Sequence, residues 1–140
     1  MAKIMPSKLP TARNVVLVVD DQADVCRIAA LVLSKAGFST QVAADGQEGL
    51  ECFVKHQHEI CMVLSDIVMP RMNGLEMVDR IMEIEPDAKV LMMSAYSSAE
   101  LEVQARERLA FIRKPFFPRD LIQKVQELLG HGPEKENVSD

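Results

Sequence analysis

Four short apolar runs in this chain each end on a polar side chain. Val15–Val19 runs into Asp20-Asp21, Ile60-Cys61-Met62-Val63-Leu64-Ser65 into Asp66, Lys89–Met93 into Ser94, and Ala110-Phe111-Ile112-Arg113 into Lys114-Pro115. Segments of helical period separate them. Strands alternating with helices predict βα units around a parallel sheet, because parallel neighbours can be joined only by long crossovers. In an open sheet of this kind the ligand crevice lies outside the carboxyl ends of the strands. Three acids, a hydroxyl and a lysine are therefore expected along one edge.

The helical segments carry their own punctuation. Val25, Ile28, Ala29, Val32 and Ala36 recur at helical spacing until Gly37 stops the helix. Phe38 to Ala43 is a short, more polar strand suited to a sheet edge. Asp45 with Glu48 reads as a capping box, and Leu50, Phe53 and Val54 supply the buried face of the next helix. Asn73 and Glu76 cap a further helix with Leu75, Val78 and Met82 inward, ended by Pro86. Ser97-Ser98 open a charged helix whose narrow stripe, Leu101, Ala105 and Leu109, predicts the least firmly held element. Pro118 starts the last helix, with Leu121, Ile122, Val125, Leu128 and Leu129 as its stripe and Gly130 beyond it. Right-handed crossovers through this alternation predict an α/β fold, a doubly wound five-stranded parallel sheet with five helices on its two faces.

With 140 residues the chain fits one domain, read as 14–130 between flexible tails at 1–13 and 131–140. A net charge of −5 and the lack of a basic stripe argue against direct nucleic-acid binding. No apolar run is long enough to span a bilayer, and residues 1–14 have no apolar segment of the secretory kind, so a cytoplasmic protein is expected. Cys26, Cys52 and Cys61 lie in apolar patterns without C-x-x-C spacing and read as reduced thiols. His56 and His58 have no third ligand nearby in sequence and do not make a zinc site.

The polar strand ends suit a divalent cation beside a phosphorylatable aspartate. Asp20-Asp21 after Val-Val, Asp66 in Ser-Asp-Ile-Val-Met-Pro-Arg-Met-Asn-Gly, Ser94-Ala95 after Met-Met, and Lys114-Pro115-Phe116 together resemble the receiver domain of bacterial response regulators. The resemblance covers residues 14 to 130. It implies a flavodoxin-like strand order of 2-1-3-4-5, with Asp66 as phosphoacceptor. It also implies Mg²⁺ (or Mn²⁺) held by Asp21, Asp66, the Val68 backbone carbonyl, and Asp20 directly or through water. Ser94 and Lys114 would contact the phosphoryl group, and Pro115 would follow a cis peptide bond. Moving Ser94 inward would open space for Phe111 to rotate and reshape the face of the fourth helix, fifth strand and fifth helix. The donor would be a histidine kinase or histidine phosphotransfer protein, and the output a protein partner on that face.

Physics agrees with this grouping. Two or three carboxylates within about 4–6 Å repel by several kcal/mol at intermediate dielectric, unless a cation and an ammonium compensate. Taken alone, Asp20-Asp21 would be a helix N-cap pair, Lys114 a solvated lysine and Phe111 a core aromatic. Tyr96 reads two ways, over the pocket mouth slowing water attack on an acyl phosphate, or as an exposed or interface tyrosine. A phosphohydrolase of the haloacid dehalogenase type wants a second acid two residues after its nucleophile, where this chain has Val68. A nucleotide-binding module wants a Gly-rich turn where Asp20-Asp21-Gln22 stands. The segment between Ser94 and Lys114 is slightly shorter than in the family, and Glu107-Arg108-Leu109-Ala110 replaces its usual Gly-Ala. Residues 131–140 are too few for an output domain, so this stretch is expected to respond through partner binding, as a monomer or weak dimer, whether it stands alone or belongs to a larger regulator or hybrid kinase.

Overall fold

Every residue of Val15–Val19 is buried, as befits a strand flanked by neighbours and covered on both faces. The structure, a computed structural model, describes residues 13–95 and 109–130. Its strands are β1 (Val15–Val19), β2 (Ser39–Ala43), β3 (Ile60–Asp66), β4 (Val90–Ser94) and β5 (Ala110–Arg113). All pairs are parallel, in the order β2-β1-β3-β4-β5. The described helices are α1 (Ala23–Lys35), α2 (Gly46–Lys55), α3 (Gly74–Ile84) and α4 (Pro118–Leu129). None is long and apolar enough to cross a membrane. Ser97, Ser98, Leu101 and Ala105 of the further expected helix lie outside the described residues.

The period of two along each strand divides the core into two layers. Leu17, Val19, Val63 and Met92 pack with Phe53 of α2 and Met77, Val78 and Ile81 of α3. Val16, Val18, Leu64, Leu91 and Met93 face the other way, onto Ala29 and Leu33 of α1 and Leu121 and Val125 of α4. Strand β2, more polar and half open, is an edge, as its sequence predicts.

Two inward faces differ from the periodicity reading. On α1 the buried positions are Cys26, Ala29 and Leu33, whereas Ile28 is 54% exposed. Each residue turns a helix by 100°, so a stripe centred on Ala29 leaves Ile28 on its solvent shoulder. On α2 Phe53 is buried but Val54 is 56% exposed for the same reason. On α3 Met77 and Ile81 occupy the centre with Val78, while Leu75 and Met82 pack at the margin.

Both predicted caps form. The Glu48 N–H donates to Asp45 Oδ1 at 2.9 Å and the Glu76 N–H to Asn73 Oδ1 at 2.9 Å. Gly37 follows α1 at φ 99°, the left-handed end that glycine favours. Gly74 is required by close approach, since a Cβ there would run into the Asp66 carbonyl oxygen. Its absence lets the Gly74 N–H reach Ile67 O at 2.7 Å, closing β3 tightly onto α3.

Candidate functional site

Strand register brings the expected side chains to one edge. Val19 pairs with Ser65, Asp66 with Met93, and Ser94 with Arg113. Asp20, Asp66, Ser94 and Lys114 therefore end adjacent strands within a residue of one another. One carboxylate oxygen each from Asp20, Asp21 and Asp66 lies within 4.8 Å of the other two. Asp20 and Asp66 are buried, at 1% and 8% exposure, while Asp21 stands at the exposed rim.

The Lys114 ammonium lies among them. Its Nζ is 2.8 Å from Asp20 Oδ2 and 3.3 Å from Asp66 Oδ2, and it donates to Gln22 Oε1 at 3.3 Å. The Gln22 contact is a directed hydrogen bond, whereas the two carboxylates are held to the ammonium as ion pairs. Asp20 Oδ1 accepts the Gln22 N–H at 2.8 Å, and Asp66 Oδ1 accepts the Ile67 N–H at 2.9 Å. Asp20 Oδ2 is fully buried and has no well-directed hydrogen bond, although the ammonium is close enough to pair with it. The ion pair holds without that alignment, because attraction between charges depends on distance rather than on direction. A buried oxygen only partly satisfied, in an all-oxygen cluster, fits Mg²⁺, a hard cation that takes oxygen ligands.

Burial first, and the Asp20 charge second, raise the Asp66 carboxyl above its ordinary value, with Lys114 opposing them. For Lys114, burial pulls the ammonium down, but hydrogen bonding and attraction to Asp20 and Asp66 outweigh it, and the net shift is upward. Beneath the cluster the Cys26 thiol donates to Asp20 O at 3.3 Å, and burial, with the Asp20 charge, pushes it up to about 11. It is an inert structural thiol.

The other anticipated residues are arranged as follows. Val68 is half-exposed in the loop after Asp66. Ser94 is buried, and its carbonyl accepts the Lys114 N–H at 2.8 Å. Phe111 is half-buried on β5 against the α2–α3 layer. The Lys114–Pro115 bond is cis, as the resemblance implies. Tyr96 lies outside the described residues. Gln22 was not anticipated as a partner of Lys114; its position after the acid pair, as the N-cap of α1, was the available signal.

A second ion pair was also not anticipated. The Arg71 guanidinium donates to Asp45 Oδ2 across 26 positions of sequence. The Glu48 N–H, first, and the Arg71 guanidinium hold the Asp45 carboxyl below its ordinary value against the opposing effect of burial. A folded-state value below the unfolded one gives stability that is present above about pH 4 and is lost as pH falls through the folded value. Asp45→Asn is therefore expected to flatten the acid limb of the stability curve. Urea midpoints between about pH 6 and pH 2 check this; an unchanged limb would contradict it.

The model of the "Response regulator receiver domain" family matches residues 16–126. The chemotaxis protein CheY of Thermotoga maritima is 33% identical over 116 residues, 81% of this chain and 95% of that protein. Among solved structures, the receiver domain of NtrX from Brucella abortus superposes with a TM-score of 0.75 at 33% identity, covering 82% of this chain and 98% of that one. The CheX-CheY-BeF3-Mg complex from Borrelia burgdorferi gives 0.76 at 30% identity, covering 86% and 97%. With the five-stranded order, the acid cluster and the family match in agreement, the chain belongs to the response regulator receiver domains of two-component signalling.

Proposed function

We propose that Asp66 is the phosphoacceptor of this receiver. The observation that carries this reading is a carboxylate 8% exposed at a strand end, with a lysine ammonium 3.3 Å away and a second buried acid beside it. Receiver domains bind Mg²⁺ at such an acidic pocket. Asp20, Asp21, Asp66 and the Val68 carbonyl are the ligands proposed here. When bound, the ion screens the charge of the phosphoryl oxygens. Lys114 pairs with one of those oxygens, and the Ser94 hydroxyl donates to another. The Asp66 carboxylate attacks the phosphorus of a phosphohistidine on a kinase or phosphotransfer protein; an acyl phosphate forms as the imidazole leaves. Water later attacks the phosphorus of the acyl phosphate and releases inorganic phosphate, restoring the Asp66 carboxylate. The family is one of signalling receivers, not of enzymes that turn over a metabolite.

Ser94 and Phe111 form the switch in this reading. The hydroxyl, drawn toward the phosphoryl group, vacates space that the half-buried ring enters, and the β5–α4 face changes for a protein partner. The unit is residues 14–130, acting in the cytoplasm as a monomer or weak dimer without nucleic acid. The Borrelia relative supports the phosphoryl chemistry, since its structure carries BeF3 and Mg. The test is incubation with acetyl phosphate and Mg²⁺, followed by intact-mass measurement. One phosphoryl group is expected to add, and chelating the Mg²⁺ to abolish the addition. Labelling that persists in chelator would sink the proposed metal role.

A further inference from the structure

The loop joining β3 to α3, residues 67–73, has two features that the acid cluster does not explain. Arg71 adopts φ 65°, a left-handed backbone that a residue with a Cβ occupies only at a penalty. Its guanidinium, with the side chain 68% exposed, donates to the buried Asp45 carboxylate at the N-terminus of α2. The adjacent Met72 carbonyl accepts the Gly46 N–H at 3.1 Å. A Cβ on Gly46 would run into that carbonyl, so the two segments meet only because position 46 is glycine. Two successive loop residues are thus fastened to α2, one through the backbone and one through a charged pair. At the far end, the Gly74 N–H holds Ile67 O at 2.7 Å. Val68, Met69 and Pro70 stand between the two fastenings. Asp45 divides its oxygens: Oδ1 accepts the Glu48 N–H that caps α2, and Oδ2 accepts Arg71.

We propose that Arg71 is a positioning residue for the metal site, latched by Asp45 so that the loop holds the Val68 carbonyl beside Asp66. This rests on the reading above that the Val68 carbonyl completes the ligand set. A backbone carbonyl has no rotamer of its own and can be aimed only by fixing its loop. Mg²⁺ demands near-ideal octahedral geometry, so a loosened ligand weakens it; Ca²⁺ accepts flexible geometry and is less affected. The strained φ of Arg71 is kept because the buried carboxylate and the Met72 contact over-determine it.

The test is calorimetric titration of the unphosphorylated protein with Mg²⁺ and, separately, Ca²⁺, at a temperature where circular dichroism shows each variant folded. Asp45→Asn keeps an Oδ1 acceptor for the α2 cap and loses the charge that Arg71 needs. Arg71→Gly removes the guanidinium and relieves the φ. Each is expected to weaken Mg²⁺ binding roughly 10-fold, and Ca²⁺ binding less. The double variant is expected to bind Mg²⁺ no more weakly than either single one, because both break the same latch. Unchanged Mg²⁺ affinity, additive losses or an equal loss for Ca²⁺ would overturn the latch. If Asp45→Asn fails to fold, Arg71→Gly alone carries the Mg²⁺ and Ca²⁺ comparison. A parent protein that binds no Mg²⁺, or an Asp66→Asn variant that binds it as tightly as the parent, would overturn the metal reading itself.

Discussion

Asp66→Asn is expected to abolish phosphoryl transfer to the protein and, in Mg²⁺-free buffer at neutral pH, to raise its stability. The loss of labelling follows because the amide is not a nucleophile and no other carboxylate in the cluster has the same company. Asp20 is already bonded to the Gln22 N–H and paired with Lys114, and Asp21 stands at the rim. The gain in stability follows from electrostatics. Burial and the Asp20 charge raise the Asp66 carboxyl, so its ionised form destabilises the folded state. The sign follows from linkage: a folded-state value above the unfolded one means the penalty is absent below the unfolded value and full above the folded one. The gain from Asp66→Asn should therefore be present at neutral pH and shrink toward about pH 4. A gain of about 1 kcal/mol would appear as roughly 3–5 °C in Tm for a domain of this size. Mg²⁺ should then stabilise the parent and leave the variant little changed. Labelling of the variant at the parent's rate would reject Asp66 as acceptor, and a fall of several kcal/mol in its metal-free stability would reject the repulsion argument.

Lys114→Ala should move stability the opposite way. The ammonium is 2.8 Å from one buried carboxylate and 3.3 Å from another. Removing one member of a buried charge group typically costs about 3–5 kcal/mol, because the remaining charge is left unpaired. Here water reaches the pocket mouth, and about 2–3 kcal/mol is expected. Mg²⁺ can take over the neutralisation, so urea denaturation with and without the ion should show most of the loss recovered. The variant should still take up phosphoryl groups while failing to transmit the change to the β5–α4 face. A Lys114→Ala protein as stable as the parent without Mg²⁺ would show that the ammonium does not hold the acids together.

Periodicity served unevenly along the chain. β1, β3 and β5 were legible to the residue: the first two are continuous apolar runs buried on both faces, and β5 is a shorter, partly buried run bounded by Lys114-Pro115. The caps at Asp45 and Asn73 were legible because capping is local, set by a side chain and an N–H three residues on. Which residues on a helix face inward was less so. Ile28 and Val54 fit an apolar stripe as well as their buried neighbours, and only the docking angle against the sheet decides between positions 100° apart.

Residue pattern was enough for the alternation, for β2 as an edge strand and for the set of acids, hydroxyl and lysine at the ends of the strands. Each of these follows from local pattern or from matching a family's motif. Packing in space was needed to make Gln22 an acceptor for Lys114 and to let Arg71 reach back to Asp45. Such contacts depend on how the strands register and where the loops end in space. Polar partners 92 and 26 residues apart leave no periodic trace by which sequence could pair them.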